Sequence, residues 1–535
     1  MAQLDISDAL NKYGTLFTEN KAASIIAIVV LLAISYYSLP GSTKEKHLPV
    51  WLPLEIGAAS YLISSGGLGL SIYSSLRKYG GSLFGLTSQH QVIHGLPSLD
   101  KFLSQGSHIL DGFPRDWALS TKVFGAHSTA DVKETLHTVL HRMNALTERL
   151  FVNEANATAA VEACDIPGNA ASLVTFSSKP ENLARWERSA NVKLIDSQTV
   201  EADMLHLVRD FGACMSIPQL YGRHFLEREQ TVLDDLWIFD NDLFPLMMVG
   251  IPQWVPFKMI KDGVAARSRL HKSLEGVYRR ADQYLKGEPV DDDTDMSDIS
   301  SVIRGRVKLY DENGLTMDYR GQLELGNLWG QNANTQPMVF WFLLFIYSTP
   351  GLVEQLRKEI SSHVTVTDSK ITSFDLQGIT RCALLKGSVY ETFRMVDEPT
   401  SIRYVRKPIT LSDGQYTHNL KEGTWISAAH AIANKDAANY PEPHKFVPDR
   451  FLEIDENGAR TARYGKLRPW GGGAGICKGR TFAEKEIIAI GAAVISLWDI
   501  SPVGKEWVIP PMRPGTGTMQ PVSDVRVRIS RREVH

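Results

Sequence analysis

Of the cysteines in the 535-residue chain, Cys164, Cys214, Cys382 and Cys477, the last stands where its sulfur could do chemistry. It belongs to the segment Trp470-Gly-Gly-Gly473-Ala-Gly475-Ile-Cys477-Lys-Gly479-Arg480. Glycines at 471–473 and 475 let a backbone loop lie flat against a large planar ligand, where a side chain would collide. A helical pattern then begins (Arg480-Thr-Phe482-Ala483), which puts the sulfur beside a helix N-terminus whose dipole and free amides favour a thiolate, the form that ligates a metal. Taken alone, the motif reads as a buried, inert cysteine beside a turn.

Two upstream motifs keep it company. Glu391-Thr-Phe-Arg394 lies in a helical pattern that brings both charges to one face. Alone it is a surface salt bridge contributing at most about 0.5 kcal/mol. Phe446-Val-Pro448-Asp-Arg450-Phe451 supplies another arginine, whose fork suits a shared carboxylate, in a proline-stiffened loop. Further upstream, in Leu328-Trp-Gly-Gln-Asn-Ala-Asn334-Thr335-Gln-Pro337-Met-Val-Phe-Trp341, Pro337 removes the amide that would bond the carbonyl of Ala333. The helix is predicted to open there.

The elements that must position these residues read as mainly α with a minor β-sheet. Helical periodicity dominates from about 130 to 395, and strands are expected within 84–95, 402–430 and 523–530. No internal repeat or clean interdomain linker is present, so 54–535 reads as one catalytic body. The formal charge of -3 gives no reason to expect nucleic acid, and the absence of a C-x-x-C pair argues against a disulfide framework or a structural zinc site. The acidic run 291–295 reads as a solvated loop, and the sequon at Asn156 as chance.

Residues 22–39 are uncharged and almost wholly apolar, and as a helix they would reach about 27 Å, which spans an endoplasmic reticulum bilayer. They are expected to be a retained transmembrane anchor, preceded by an extracytosolic segment 1–21 and followed by a proline-containing hinge 40–53. A cleaved signal peptide fits less well, because Asp5, Asp8 and Glu19 stand where a basic cluster belongs. Lys44 and Lys46 place the body in the cytosol, on the endoplasmic reticulum membrane.

Glu391-x-x-Arg394, then Phe446-x-Pro448-x-Arg450-Phe451, then a glycine-rich loop ending Cys477-x-Gly479, resembles the cytochrome P450 superfamily in order and spacing along residues 48–535. The chain is identified as a fungal member of it. The resemblance implies the cytochrome P450 fold and haem b, with Cys477 as axial ligand, Trp470, Gly473 and Gly479 beside the haem, and Glu391, Arg394 and Arg450 as a buried ionic cluster supporting the loop. Two departures bear on haem anchoring. Trp470 stands where phenylalanine is usual, and Gly475 where a propionate-binding arginine or histidine is usual, so Arg403 and Arg406 are the candidate replacements. The segment 328–341 resembles the central helix of the sterol 7α- and 12α-hydroxylases and prostacyclin synthase. There Asn334 replaces the usual acid and Thr335 keeps the alcohol of the proton relay.

The implied activity is insertion of one oxygen atom from O₂ into a C–H bond of an apolar, membrane-partitioned substrate, a sterol, terpenoid or other secondary metabolite. Electrons come from NADPH through NADPH-cytochrome P450 reductase. The basic residues Arg460, Arg463, Lys466, Arg468, Lys478 and Arg480 are either solvated or a docking face for that acidic donor. The rival readings are a haem-thiolate isomerase of an endoperoxide, which needs no electron donor, and a non-catalytic haem sensor. The pocket is expected from segments 120–160, 240–260 and 510–520.

Overall fold

A computed structural model describes residues 83–533, apart from positions 88, 89, 94, 249, 415, 416 and 516. The segment 1–21, the expected anchor 22–39 and the hinge 40–53 lie outside the described residues. Among the described residues no single helix is long and apolar enough to cross a membrane.

The helices that build the site are α1 (Leu99–Leu103), α2 (Phe113–Ala118), α3 (Ala130–Phe151), α4 (Met204–Ser216), α5 (Lys258–Lys286), α6 (Met317–Asn332), α7 (Thr335–Ser348), α8 (Ala383–Val396) and α9 (Arg480–Leu497). The strands of the two larger sheets are β1 (Leu83–Thr87), β2 (His90–Ile93), β3 (Leu110–Asp111), β4 (Lys193–Asp196), β5 (Thr199–Asp203), β6 (Thr400–Val405), β7 (Trp425–Ala429), β8 (Trp498–Pro502) and β9 (Arg526–Arg531). One five-stranded sheet runs β1-β2-β7-β6-β3, with β7 parallel to β2 and antiparallel to β6. A four-stranded sheet runs β8-β9-β5-β4. The molecule is thus mainly helical with minor sheets; β1, β2, β6, β7 and β9 fall in the stretches where alternation places strands, whereas β3, β4, β5 and β8 lie outside them, β4 and β5 within the span read as helical.

Burial follows the periodicity. In α3, Leu136, Val139, Met143, Thr147 and Phe151 recur at three and four and face inward. In α7, Thr335 through Ile346 are all buried, as an apolar-all-round helix at the centre of a core must be. α9 closes on α7 where Gly491 stands, because a Cβ there would come within 2.3 Å of the Phe342 ring. The long helices α5 and α6 also meet at a glycine. A Cβ on Gly321 would lie 2.7 Å from both the backbone nitrogen of Glu275 and the carbonyl oxygen of His271.

The run 291–295 is solvated, as its composition suggests, with Asp292, Asp293 and Asp295 exposed, and carboxylates in it form surface ion pairs. Asp291 pairs with Arg279 at 2.7 Å, Asp292 with Arg228, and Asp295 with Arg223 at 3.2 Å. The sequon Asn156 lies in the helix Glu154–Ala163, and its side-chain amide donates to the Arg149 carbonyl at 2.7 Å.

Because backbone rather than a flexible side chain faces Gly321, Gly321→Ala is expected to force α5 and α6 apart and destabilise the protein by about 1–3 kcal/mol. A lowered thermal midpoint of the variant checks this.

Candidate active site

Cys477 lies between the glycine loop and the start of α9. Its amide donates to the Trp470 carbonyl at 3.0 Å, which closes the loop, and the Gly479 amide points at its sulfur at 3.4 Å. The sulfur borders a cavity of about 590 Å³ lined by apolar groups such as Phe151, Phe393, Phe482 and Ala483. Burial pushes the thiol above its ordinary range, and the Gly479 amide opposes that only in part. A metal cation held at this sulfur would offset that rise, because a coordinating thiol is deprotonated outright.

The glycines have a second reason beyond a planar ligand. Gly473 has φ +63, and a Cβ on it would lie 1.9 Å from the carbonyl oxygen of Leu103 at the end of α1. The loop is wedged against α1 on one side and tied to β6 on the other. Ser401 Oγ accepts from the Gly472 amide at 3.1 Å, and Arg403 donates to the Gly472 carbonyl at 2.9 Å.

Glu391, Arg394 and Arg450 meet. Arg394 grips the Glu391 carboxylate with two bonds of 2.8 Å, Arg450 Nε donates to both of its oxygens at 3.0 and 3.1 Å, and the Val447 amide adds a bond of 3.0 Å. Glu391 and Arg394 are fully buried, so this is not the surface ion pair that the spacing alone suggests. The remaining guanidinium donors reach the carbonyls of Asn434, Pro443 and Pro441.

At Gly475 a Cβ would fall 2.9 Å from both terminal nitrogens of Arg403 and 3.2 Å from one of Arg115. Two guanidinium groups therefore occupy the space that a side chain at 475 would take. Arg403 is buried, and burial followed by the Arg115 charge pushes its pKa down to about 10. Arg115, on α2, and Lys122 line the cavity themselves. Arg406 lies apart from this group. Like Arg403 it is not among the lining residues, but unlike Arg403 it stands away from Gly475, with its guanidinium bound to Asp111 at 2.8 and 3.0 Å.

Trp470 lines the cavity with its ring edge-on to Phe393, and its indole nitrogen donates to Tyr464 at 3.0 Å. Tyr464 in turn donates to Glu484, which also takes a bond from Tyr390 and pairs with Lys386 at 3.2 Å. Sequence reasoning missed Arg115, Tyr464 and Glu484. Only the last two had a signal, since a tryptophan in a buried loop needs an acceptor for its N–H.

The central helix is interrupted where Pro337 predicts. α6 ends at Asn332, and α7 starts at Thr335 after Asn334 at φ -108. Asn334 and Thr335 both line the cavity. The side-chain carbonyl of Asn334 accepts from the Thr518 amide at 2.9 Å, and Gly517 makes room for it, since a Cβ there would lie 2.5 Å away. Among the described residues nothing hydrogen-bonds the Thr335 hydroxyl. The expected pocket segments contribute Lys122, Thr147, Phe244, Met247 and Gly515, while the lining at 397–402 was not anticipated. The basic cluster is partly spent on internal pairs, with Arg468 on Asp100 at 2.6 Å, Lys478 on Glu148 at 2.5 Å and Arg480 on the Cys477 carbonyl.

An accessible sulfur, a rim of cations, apolar walls and a side-chain-free loop suit an anionic, planar, apolar-bodied metal complex such as haem.

A cytochrome P450 family model matches residues 201–526. The chain is 26% identical over 382 residues to the cytochrome P450 monooxygenase fsoE of Humicola fuscoatra, covering 62% of each, so it spans less than two thirds of that relative. It is 25% identical over 525 residues to the monooxygenase poxD of Penicillium oxalicum, covering 96% of this chain and 98% of the relative. A human 7-alpha-hydroxycholest-4-en-3-one 12-alpha-hydroxylase is 29% identical over 247 residues, which is 43% of this chain and 49% of the relative.

Removing one partner from the buried cluster strands the others. Glu391→Gln is expected to destabilise the protein by about 3–5 kcal/mol. Chemical unfolding of the variant, followed alongside its haem content, measures this.

Proposed function

The chain belongs to the cytochrome P450 family, and on that premise we propose that it is a haem-thiolate monooxygenase fed by NADPH through a reductase and acting on an apolar, membrane-partitioned substrate. The observation that carries this reading is the Cys477 sulfur opening into the apolar cavity beneath a loop without side chains. Bound haem supplies the iron at which O₂ is activated.

Cys477 would hold the iron, with the Gly479 amide tempering the charge on sulfur. Arg403, Arg115 and Lys122 would take the anionic edge of the haem in place of the absent basic residue at 475. Trp470 would pack against the ring, held in orientation through Tyr464. The Glu391–Arg394–Arg450 cluster would support the loop indirectly, by pinning the segment 434–447 to α8.

Thr335 Oγ1, at the helix break, would pass protons inward from ordered water. Asn334, the residue that replaces the usual acid, would act by holding the break open through its bond to Thr518 rather than by donating a proton. Apolar walls exclude bulk water and accept the substrate skeleton. Similarity to a 7-alpha-hydroxycholest-4-en-3-one 12-alpha-hydroxylase supports a sterol-like skeleton among the apolar substrates, which would also include terpenoids and other secondary metabolites. The apolar run 22–39 would hold the protein at the endoplasmic reticulum membrane. Arg460 and Lys466, which make no ion pair among the described residues, remain available to an acidic redox partner.

Cys477→Ser is expected to abolish the red-shifted, thiolate-type spectrum of the reduced carbon monoxide complex, and its persistence would refute the ligand assignment. Thr335→Ala is expected to lower product formed per NADPH oxidised by about 10²-fold with normal haem loading. Turnover of an endoperoxide with neither NADPH nor reductase present would refute the monooxygenase reading.

A further inference from the structure

Asp397 follows α8 directly and lines the cavity, though only 9% of the residue is exposed. Glu398 beside it also lines the cavity and is neutralised by Lys435 at 2.9 Å. Asp397 has no such cation. Among the described residues no side chain donates a hydrogen bond to its carboxyl group, and the backbone amide that reaches it, that of Glu398, is shared with the Gly517 carbonyl at 2.6 Å. Burial, and then the Glu398 charge, hold this carboxyl well above the usual carboxylate range. A buried carboxyl group with no cation and only a shared backbone amide is costly, and the fold gains nothing evident from it.

The backbone that carries it is held by the segment 517–519, which is itself held by Trp341. Asp397 bridges antiparallel to Thr518, the Met519 amide donates to the Val396 carbonyl at 2.8 Å, and the Trp341 indole donates to the Met519 carbonyl at 2.7 Å. Thr518 is the same residue whose amide Asn334 holds. The carboxyl group therefore sits at a fixed position relative to the helix break and Thr335. That suits a group that orients a ligand.

We propose that Asp397 is a specificity-determining residue, whose carboxyl group receives a hydrogen-bond donor, a hydroxyl or a protonated amine, on an otherwise apolar substrate and so selects the carbon presented to the haem. The inference rests on reading the cavity as a haem-thiolate site and adds a polar handle to the apolar substrate. A site built to bond a substrate hydroxyl discriminates strongly against an analogue lacking it, because its own buried group is then left unpaired.

The test uses full-length, haem-loaded protein and reads affinity from the spin-state change as ligand displaces water. The probes are three alcohols with their methyl ethers, on a dodecyl chain, a bornane skeleton and cholesterol, together with N,N-dimethyldodecylamine. For the wild type, at least one alcohol is expected to bind about tenfold or more tightly than its ether. Asp397→Leu should bring that ratio to about one, whereas Asp397→Asn should keep the alcohol preference and lose the ammonium ligand. Equal affinities across every pair in haem-loaded wild type, no binding by any alcohol, or a preference that survives in Asp397→Leu overturns the proposal. Failure to load haem, or to give the thiolate-type carbon monoxide spectrum, instead overturns the reading of the site on which it rests.

Discussion

Glu391 is a carboxylate with no water to solvate it, and its solvation is rebuilt from two guanidinium groups and one backbone amide. The donors come from two places in the chain: Arg394 one turn along α8, and Val447 and Arg450 from one loop well downstream of β7. Satisfying this one charge pins that loop to α8. The excess positive charge is spread onto the carbonyls of Asn434, Pro441 and Pro443, which holds the loop along its length. Because a partly satisfied buried ion network is worse than none, the arrangement is close to all-or-none.

The consequences reach the cavity through short connections. α8 runs through 397–399 into β6, and β6 fastens the glycine loop by Ser401 and Arg403. The space left at Gly475 is where Arg403 and Arg115 converge. A departure from the family pattern at one position is thus matched by cations from two other elements. Trp470 shows the same logic in reverse. Its indole brings a donor that phenylalanine lacks, and Tyr464 and Glu484 receive it.

The break between α6 and α7 ties the upper part of the site to the same framework. Pro337 supplies the missing amide, but a missing bond only permits a bend. What fixes the bend is Asn334, whose side chain holds Thr518, and Trp341, which holds Met519. The segment 517–519 in turn bridges to Val396, Asp397 and Glu398. The helix break, the carboxyl group at 397 and the end of α8 therefore form one connected unit.

The sequence by itself determined the parts governed by short-range rules. These include the helical body with minor sheets, the break before Pro337, the glycine loop running into α9, and the spacing of Glu391, Arg394, Arg450 and Cys477. All follow from backbone sterics and periodicity, which act over a few residues. The tertiary structure decided which charges are buried and which meet. It turned an i, i+3 pair into a sealed cluster, drew Arg115 to Arg403 across nearly three hundred residues, left Arg406 on Asp111, and tied Asn334 to Thr518. It also placed Asp397 at the cavity, which no local pattern marked. Burial and long-range proximity are properties of how elements pack, and the same short motif reads alike whether packing exposes it or encloses it.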